Sequence, residues 1–128
     1  MRARRILLAE DDPDMRDIVA TALRREGYEV LEAGDAQQLV MRLVREPAGV
    51  TGAAPSIDLI LTDVRMPGCS GLDVIDALRE AEWQTPMIVM TAFPDAEVRS
   101  RAKALGAVML DKPFRMDVLV TTVRNSLR

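Results

Sequence analysis

The sequence contains no histidine and only one cysteine, Cys69, among its 128 residues. The missing histidines exclude a serine–histidine–aspartate triad, an imidazole general base and the histidine-based zinc sites. A single cysteine excludes an internal disulfide and a multi-cysteine zinc site. Any chemistry in this protein must therefore use carboxylates, hydroxyls, lysine, arginine or backbone groups.

Long apolar runs and an excess of positive charge are also missing. No run approaches the roughly 20 residues of a membrane-spanning helix, and the apolar stretch Ile6–Ala9 is too short for a signal peptide. We therefore expect a cytoplasmic protein without a membrane partner. The 17 basic and 20 acidic residues give a net charge of −3, which does not favour direct nucleic-acid binding. The length fits a single domain over residues 1–128.

Five short apolar runs alternate with five amphipathic stretches. Most runs are nearly continuous, which is typical of strands buried on both faces. One run is interrupted by Glu29 and Glu32 and is predicted to be an edge strand. Strict alternation indicates crossover connections, and hence an α/β fold: a flavodoxin-like (βα)5 three-layer sandwich whose parallel sheet has the order 2-1-3-4-5. The predicted strands are Ile6–Ala9, Tyr28–Ala33, Ile57–Leu61, Met87–Met90 and Ala107–Leu110.

The five amphipathic stretches repeat apolar residues at helical spacing. Asp12 is predicted to cap the first helix, and Gly27 is predicted to end it. The third, fourth and fifth helices are predicted over residues 71–81, 95–105 and 116–127. The residues predicted to face inward are Met15, Ile18, Val19, Ala22 and Leu23 in the first helix, Leu39, Val40, Leu43 and Val44 in the second, Leu72, Ile75 and Leu78 in the third, and Leu119, Val120, Val123 and Leu127 in the fifth.

The link Pro47–Ser56, before the third strand, is rich in Gly, Ala and Pro and has no periodicity. It is longer than the usual link of about 2–6 residues in such folds. We interpret it as a surface insertion, with a partner-binding loop as the alternative.

Acidic side chains follow two strands that the predicted order makes neighbours. Glu10 and Asp11 come after the first strand, and Asp63 comes after the third. Two like charges about 4 Å apart repel by roughly 4 kcal/mol at an effective dielectric near 20, so such a cluster either shares protons or binds a cation. Ligands that are all oxygen favour Mg²⁺. The turn Met-Pro-Gly after Arg65 would hold the carbonyl of that residue near the metal.

The other two strand ends on this edge carry a hydroxyl and an ammonium group. Thr91 ends the fourth strand, and Lys112 follows the fifth. Singly, these residues are more typical of caps and turns. Together they suit a site where Asp63 attacks a phosphoryl group, Lys112 neutralises the phosphoryl oxygens and Thr91 donates a hydrogen bond to one of them. The small Ala92 leaves room for the group.

Residues 5–128 resemble the receiver domain of two-component response regulators. The resemblance is carried by ILLAEDDPDMR, DLILTDVRMPGCSGLDVI, PMIVMTA and GAVMLDKPF. It implies that Asp63 is the phospho-acceptor and that the bond between Lys112 and Pro113 is cis. Mg²⁺ would be held by Glu10, Asp11, Asp63 and the carbonyl of Arg65, and Thr91 and Lys112 would be the switch hydroxyl and the phosphate-binding lysine.

One position departs from the family pattern. Met109 stands three residues before Lys112, where the family usually has Tyr or Phe. The predicted switch position therefore lacks the aromatic ring that turns inward in the family. Methionine is unbranched and adaptable, so its side chain can still move.

The resemblance also implies the partners. The phosphoryl donor would be a phosphohistidine of a sensor histidine kinase or histidine phosphotransfer protein, docking near the first helix. Phosphorylation would shift the face made by the fourth helix, fifth strand and fifth helix, and that face would bind a downstream effector or form a homodimer. Because the protein is its own substrate, we expect a switch with slow autodephosphorylation rather than a turnover enzyme.

Two other functions are weighed against the switch. A Mg²⁺ phosphohydrolase of the haloacid dehalogenase type has a second Asp two residues after its nucleophile, where this chain has Arg65. A receiver-like interaction module that works independently of phosphorylation is compatible with Met109. The sequence fits either a stand-alone regulator or a part of a longer protein.

Overall fold

Five parallel strands form the centre of the protein, in a computed structural model that describes residues 3–45 and 57–128. They lie in the order β2-β1-β3-β4-β5, which confirms the predicted flavodoxin-like sheet. The predicted insertion Pro47–Ser56 lies outside the described residues. The strands are β1 (Arg5–Ala9), β2 (Glu29–Ala33), β3 (Leu59–Asp63), β4 (Met87–Thr91) and β5 (Val108–Asp111).

Helices cover both faces of the sheet, because successive side chains of a strand point to opposite faces. Leu7 of β1 packs on the side of α2, α3 and α4. Its neighbours Ile6 and Leu8 pack on the side of α1 and α5. Within the described ranges, no helix is long and apolar enough to cross a bilayer. The helices are α1 (Pro13–Arg25), α2 (Ala36–Arg45), α3 (Gly71–Glu80), α4 (Ala96–Ala104) and α5 (Met116–Ser126).

The third strand begins and ends two residues later than predicted. Ile57 is buried, but pairing with β1 begins at Leu59, opposite Ile6, and continues through Thr62. Thr62 is polar yet fully buried, so the apolar run in the sequence stops before the strand does. Asp63 is therefore the last residue of β3 and pairs in register with Met90 of β4.

The two edge strands are both partly exposed. β2 is predicted as an edge strand, and accordingly only Val30 and Ala33 of its five residues are buried. β5 was predicted among the strands buried on both faces, and this was wrong: Val108 is 44% exposed, and only Leu110 of β5 is buried. The reason is position, since β5 has a neighbouring strand on one side only.

The predicted ends of α1 are confirmed. The Asp12 side chain accepts hydrogen bonds from the backbone N–H groups of Asp14 and Met15, at 3.0 and 3.3 Å. Pro13 occupies the first turn, where its missing N–H costs nothing. Beyond the helix, Gly27 has a φ of +91°, a conformation that glycine adopts without steric cost.

The predicted inward faces of α1 and α2 were too wide. Ile18 is 52% exposed, whereas the buried residues of α1 are Val19, Ala20 and Leu23. On α2, Leu39 and Leu43 are buried, but Val40 and Val44 are exposed. Successive helical residues differ by about 100° around the axis, and only a narrow strip of each helix meets the sheet.

Candidate functional site

Three carboxylates meet at the carboxyl ends of β1 and β3, and we call Glu10, Asp11 and Asp63 the acid pocket. One oxygen of each carboxylate lies within 4.8 Å of those of the other two. Glu10 is 1% exposed and Asp63 is 7% exposed, while Asp11 is exposed. The proximity expected from the strand order is present because β1 and β3 are adjacent and parallel, with Ala9 opposite Thr62.

Lys112 reaches into the acid pocket from the far side of β4. Its ammonium nitrogen Nζ lies 2.5 Å from Glu10 Oε1 and 3.0 Å from Asp63 Oδ2. Its backbone N–H donates to the carbonyl of Thr91 at 2.7 Å, which anchors the residue at the end of β4. The Lys112–Pro113 peptide bond is cis, as the resemblance implies.

The protonation of the pocket follows from burial and from this close pairing. Burial raises the pKa of Glu10, the hydrogen bond shared with Asp63 raises it further, and Lys112 opposes both. Partial desolvation raises the pKa of Asp11, followed by its hydrogen bond and repulsion with Glu10. Burial lowers the pKa of Lys112, but the hydrogen bonds to Glu10 and Asp63 outweigh it and the pKa is raised. Lys112 is therefore a cation at neutral pH.

Thr91 and Ala92 stand beside the pocket at the end of β4. Thr91 is 1% exposed, and its hydroxyl oxygen accepts a hydrogen bond from the backbone N–H of Phe93 at 3.0 Å. A hydroxyl that accepts from Phe93 still has its own proton to donate. Ala92 is exposed, so no large side chain at this position fills the space beside Thr91.

The side chain of Arg65, in the loop after β3, packs on an aromatic ring in the loop after β4. The Arg65 guanidinium lies over the ring of Phe93, with its carbon 4.4 Å from the ring centre. This cation–π contact joins the loops that follow β3 and β4. The predicted Met-Pro-Gly turn is present, with Gly68 at a φ of +99° and Arg65 bridged to Ser70.

Gly71 at the start of α3 lies directly against the backbone of Asp63. A Cβ atom at this position would stand 2.2 Å from the carbonyl oxygen of Asp63 and 2.9 Å from the hydroxyl of Thr62. Only glycine fits that approach. The role of Gly71 is not predicted from local pattern; its one signal in the sequence is a glycine at the first position of a helix, behind the Ser70 cap.

Met109 lies in β5, opposite Val89 of β4. Its side chain is partly buried and packs against the apolar cluster on the α4 side of the sheet. The position predicted as the switch is therefore occupied by a flexible apolar side chain in contact with the core.

The donor set of the acid pocket fits a hard divalent cation. Its three carboxylates are close enough to share one ion, and all their donor atoms are oxygen, which Mg²⁺ prefers. Lys112 balances one of the three negative charges, so two remain for a metal to neutralise. Glu10, Asp11 and Asp63 are the residues whose side chains would hold it.

The family model for the response regulator receiver domain matches residues 6–124. The transcriptional regulatory protein CpxR of Escherichia coli is 37% identical over 125 residues, covering 97% of this chain and 49% of CpxR. The transcriptional regulatory protein PdtaR of Mycobacterium tuberculosis is 35% identical over 123 residues, covering 94% of this chain and 55% of PdtaR. The chain thus spans about half the length of these relatives.

A solved structure agrees in fold. The chemotaxis protein CheY4 of Vibrio cholerae superposes with a TM-score of 0.84 at 27% identity, covering 98% of this chain and 100% of CheY4.

Proposed function

The chain belongs to the receiver domain family of response regulators, and from that membership we propose that it is a phosphoacceptor switch. Asp63 takes a phosphoryl group from a phosphohistidine of a sensor kinase or a histidine phosphotransfer protein. A new bond forms between an Asp63 oxygen and phosphorus as the bond from phosphorus to the imidazole nitrogen breaks. The imidazole leaves with that electron pair.

The observation that carries this proposal is the position of Lys112. Its ammonium lies 3.0 Å from Asp63 Oδ2, within reach of oxygens that a phosphoryl group on Asp63 would present. Charge on those oxygens is neutralised best by donors already in place, because no reorganisation is then needed. Thr91 supplies a second donor when its hydroxyl turns toward the same group.

A Mg²⁺ ion held by Glu10, Asp11, Asp63 and the Arg65 carbonyl would neutralise further charge on the phosphoryl oxygens. The acid pocket supports this assignment through its all-oxygen donor set. Asp63 serves both as ligand and as acceptor, so Glu10 and Asp11 remain to hold the ion.

The proposed output is a shift of the face formed by α4, β5 and α5, which we call the output face. A phosphoryl group adds about −1.5 to −2 charges and draws Thr91 and Lys112 toward it. Both residues precede loops that lead into α4 and α5. Exposed Val108 and Val118 give the output face apolar area for a downstream effector or a second copy of the chain.

Hydrolysis of the phosphorylated Asp63 is proposed to be slow, so that the protein stores a signal and does not turn over a substrate. The cytoplasmic location expected from the sequence stays a prediction of this proposal.

The test is incubation with acetyl phosphate and Mg²⁺ followed by intact mass spectrometry. The wild type should gain one phosphoryl group, and Asp63→Asn should gain none. Asp12→Asn is the matched control, because asparagine also caps a helix, and it should be labelled like the wild type. Equal labelling of Asp63→Asn would contradict the assignment of the acceptor.

A second measurement separates the switch from an interaction module that ignores phosphate. The affinity of the labelled protein for its partner should differ from that of the unlabelled protein. Labelling of Asp63 with no change in partner affinity would favour the phosphorylation-independent module.

A further inference from the structure

Arg16, on the first turn of α1, contacts the backbone segment that follows β1 and carries Glu10 and Asp11. Its Nη1 donates a hydrogen bond to the backbone carbonyl of Glu10 at 2.9 Å. Its Nε lies 3.5 Å from Glu32 Oε1 on β2, and its side chain is 25% exposed. One guanidinium therefore joins α1 and β2 to the residue that follows β1.

The place of this guanidinium is constrained from two sides. A Cβ atom at Gly34 would stand 3.0 Å from Arg16 Nη1, so the absence of a side chain there leaves room for the arginine. Glu32 is held in turn by Arg24, whose Nη2 lies 3.1 Å from Glu32 Oε2 and 2.9 Å from the carbonyl of Val30. The partner of Arg16 is thus itself anchored to β2.

The hydrogen bond from Arg16 to the Glu10 carbonyl also affects the position of Asp11, because the two residues share a peptide bond. The carbonyl of Glu10 and the N–H of Asp11 belong to one planar unit. The N–H of Glu10 is held by the carbonyl of Ala33 at 3.0 Å, and its carbonyl is held by Arg16. With both groups bonded, the direction in which the chain leaves Glu10 is set, and with it the position of Asp11.

We infer that Arg16 is a positioning residue for the acid pocket, which holds the Asp11 carboxylate where it can share a cation with Glu10 and Asp63. The inference rests on the proposed function insofar as the pocket binds Mg²⁺. Groups that orient metal ligands without touching the metal typically change its affinity by about 10- to 100-fold when removed.

The charge of Arg16 and its proposed positioning role predict opposite effects of its removal on Mg²⁺ affinity. Arginine is a cation close to a cation site, so its removal should strengthen Mg²⁺ binding if charge alone mattered. If Arg16 orients the Glu10–Asp11 peptide, its removal should weaken binding instead.

The experiment measures Mg²⁺ affinity by calorimetry for the wild type, Arg16→Met, Arg16→Lys and Arg24→Met, together with unfolding in EDTA. Arg16→Met should bind Mg²⁺ about 10-fold more weakly. Arg16→Lys should lose less, because its ammonium can still donate to the Glu10 carbonyl. Arg24→Met is the matched control: it loses an ion pair to the same Glu32 and a backbone carbonyl contact, but Arg24 does not touch Glu10, so this variant should lose much less affinity than Arg16→Met.

The outcomes separate failure of the metal site from failure of the role of Arg16. If the wild type does not bind Mg²⁺, the metal assignment in the proposed function fails, and this inference fails with it. If the wild type binds and Arg16→Met binds equally or more tightly, only the role of Arg16 is overturned. An equal loss in Arg24→Met would also overturn it, since general support of β2 would then explain both. If Arg16→Met does not fold, Arg16→Gln, which removes the charge and is too short to replace the guanidinium, decides by the same comparison.

Discussion

Lys112 reduces the repulsion among the three carboxylates of the acid pocket. Two of them, Glu10 and Asp63, are almost fully buried, and an unpaired buried charge is costly. The ammonium within hydrogen-bonding distance of both compensates one negative charge and orients both carboxylates. The remaining charge favours cation binding.

Removal of Lys112 should therefore weaken the fold most when no metal is present. We expect Lys112→Met to lower the free energy of unfolding in EDTA by about 3 kcal/mol, the usual cost of breaking a buried pair, and Mg²⁺ to recover part of the loss. Urea unfolding with and without Mg²⁺ measures this. The chain's other lysine, Lys103, is exposed on α4, and Lys103→Met should change little. A Lys112→Met protein as stable as the wild type in EDTA would refute the argument.

The same pocket makes stability depend on pH. The pKa values of Glu10 and Asp11 lie above their ordinary values of 4.5 and 3.8, so across this range the folded protein binds more protons than the unfolded chain. Stability from these groups is present at low pH and is lost as pH rises through their raised pKa values. In EDTA, the stability of Glu10→Gln relative to the wild type should therefore increase as the pH rises above the ordinary glutamate pKa of 4.5.

The control for this pH dependence is Glu97→Gln, which removes an exposed acid on α4. Its stability relative to the wild type should stay flat over the same range. A Glu10→Gln curve parallel to the wild type would show that Glu10 is not perturbed by the pocket.

At the scale of elements, the first residue of α3 packs directly against the backbone of β3. This approach is possible only because that residue, Gly71, has no side chain. The backbone of Gly71 touches that of Asp63, and the Gly71 N–H donates to the carbonyl of Val64 at 2.9 Å. The start of α3 therefore packs against the backbone of Asp63, the proposed phospho-acceptor. Displacement of the helix would displace Asp63.

Gly71→Ala should consequently impair both the fold and the labelling of Asp63. A methyl group 2.2 Å from a backbone oxygen forces the helix to shift, and overpacking of this kind costs about 1–3 kcal/mol. Labelling by acetyl phosphate should be slower. Gly68→Ala is the control in the same loop, because its Cβ would meet nothing within 4 Å. It should lose stability through its positive φ but label faster than Gly71→Ala. Equal labelling rates would show that the contact does not position Asp63.

The helix α4 is anchored differently from the others. Ala102 is its single buried residue, and ion pairs hold it at both sides: Arg99 to Asp111 at 2.7 Å and Arg101 to Asp73 at 2.6 Å. Exposed pairs of this kind contribute little stability. The helix that belongs to the proposed output face is thus attached by the buried Ala102, by the partly buried Val98 and by weak surface ion pairs.

At the scale of the whole molecule, a ligand in the acid pocket should stabilise the complete domain. The pocket joins two residues that follow β1 to the last residue of β3, and Lys112 reaches it from the end of β5, so it exists only when the sheet is formed. A cation that binds the folded state alone adds about 2.7 kcal/mol at 100 times its dissociation constant. Mg²⁺ should therefore raise the unfolding midpoint of the wild type in a concentration-dependent way.

Asp11→Asn is the informative variant for that linkage. Asp11 is the exposed member of the pocket, so its change should leave the fold intact while removing one ligand charge. Its midpoint should respond to Mg²⁺ much less than that of the wild type. Na⁺ at equal ionic strength controls for screening, and an equal response to Na⁺ would contradict a specific site.

Much of this architecture can be predicted from local pattern. Apolar runs and helical spacing depend on neighbours in the chain, and they placed the five strands, the five helices and the Asp12 cap. The errors occurred where burial depends on distant segments. Val108 is exposed because β5 lies at an edge, and Ile18, Val40 and Val44 are exposed because each helix meets the sheet along a narrow strip.

The candidate site divides in the same way. That Glu10, Asp11 and Asp63 meet follows from strand order alone, because parallel strands of one sheet end at the same edge. The hydrogen bond of Lys112 to Glu10 spans 102 positions of sequence, and no local pattern specifies which acids an ammonium on a flexible stem will contact. The contacts of Arg16 with Glu10 and of Gly71 with Asp63 likewise exist only once separate elements pack together, since atomic separations of a few ångströms are set by packing and not by periodicity.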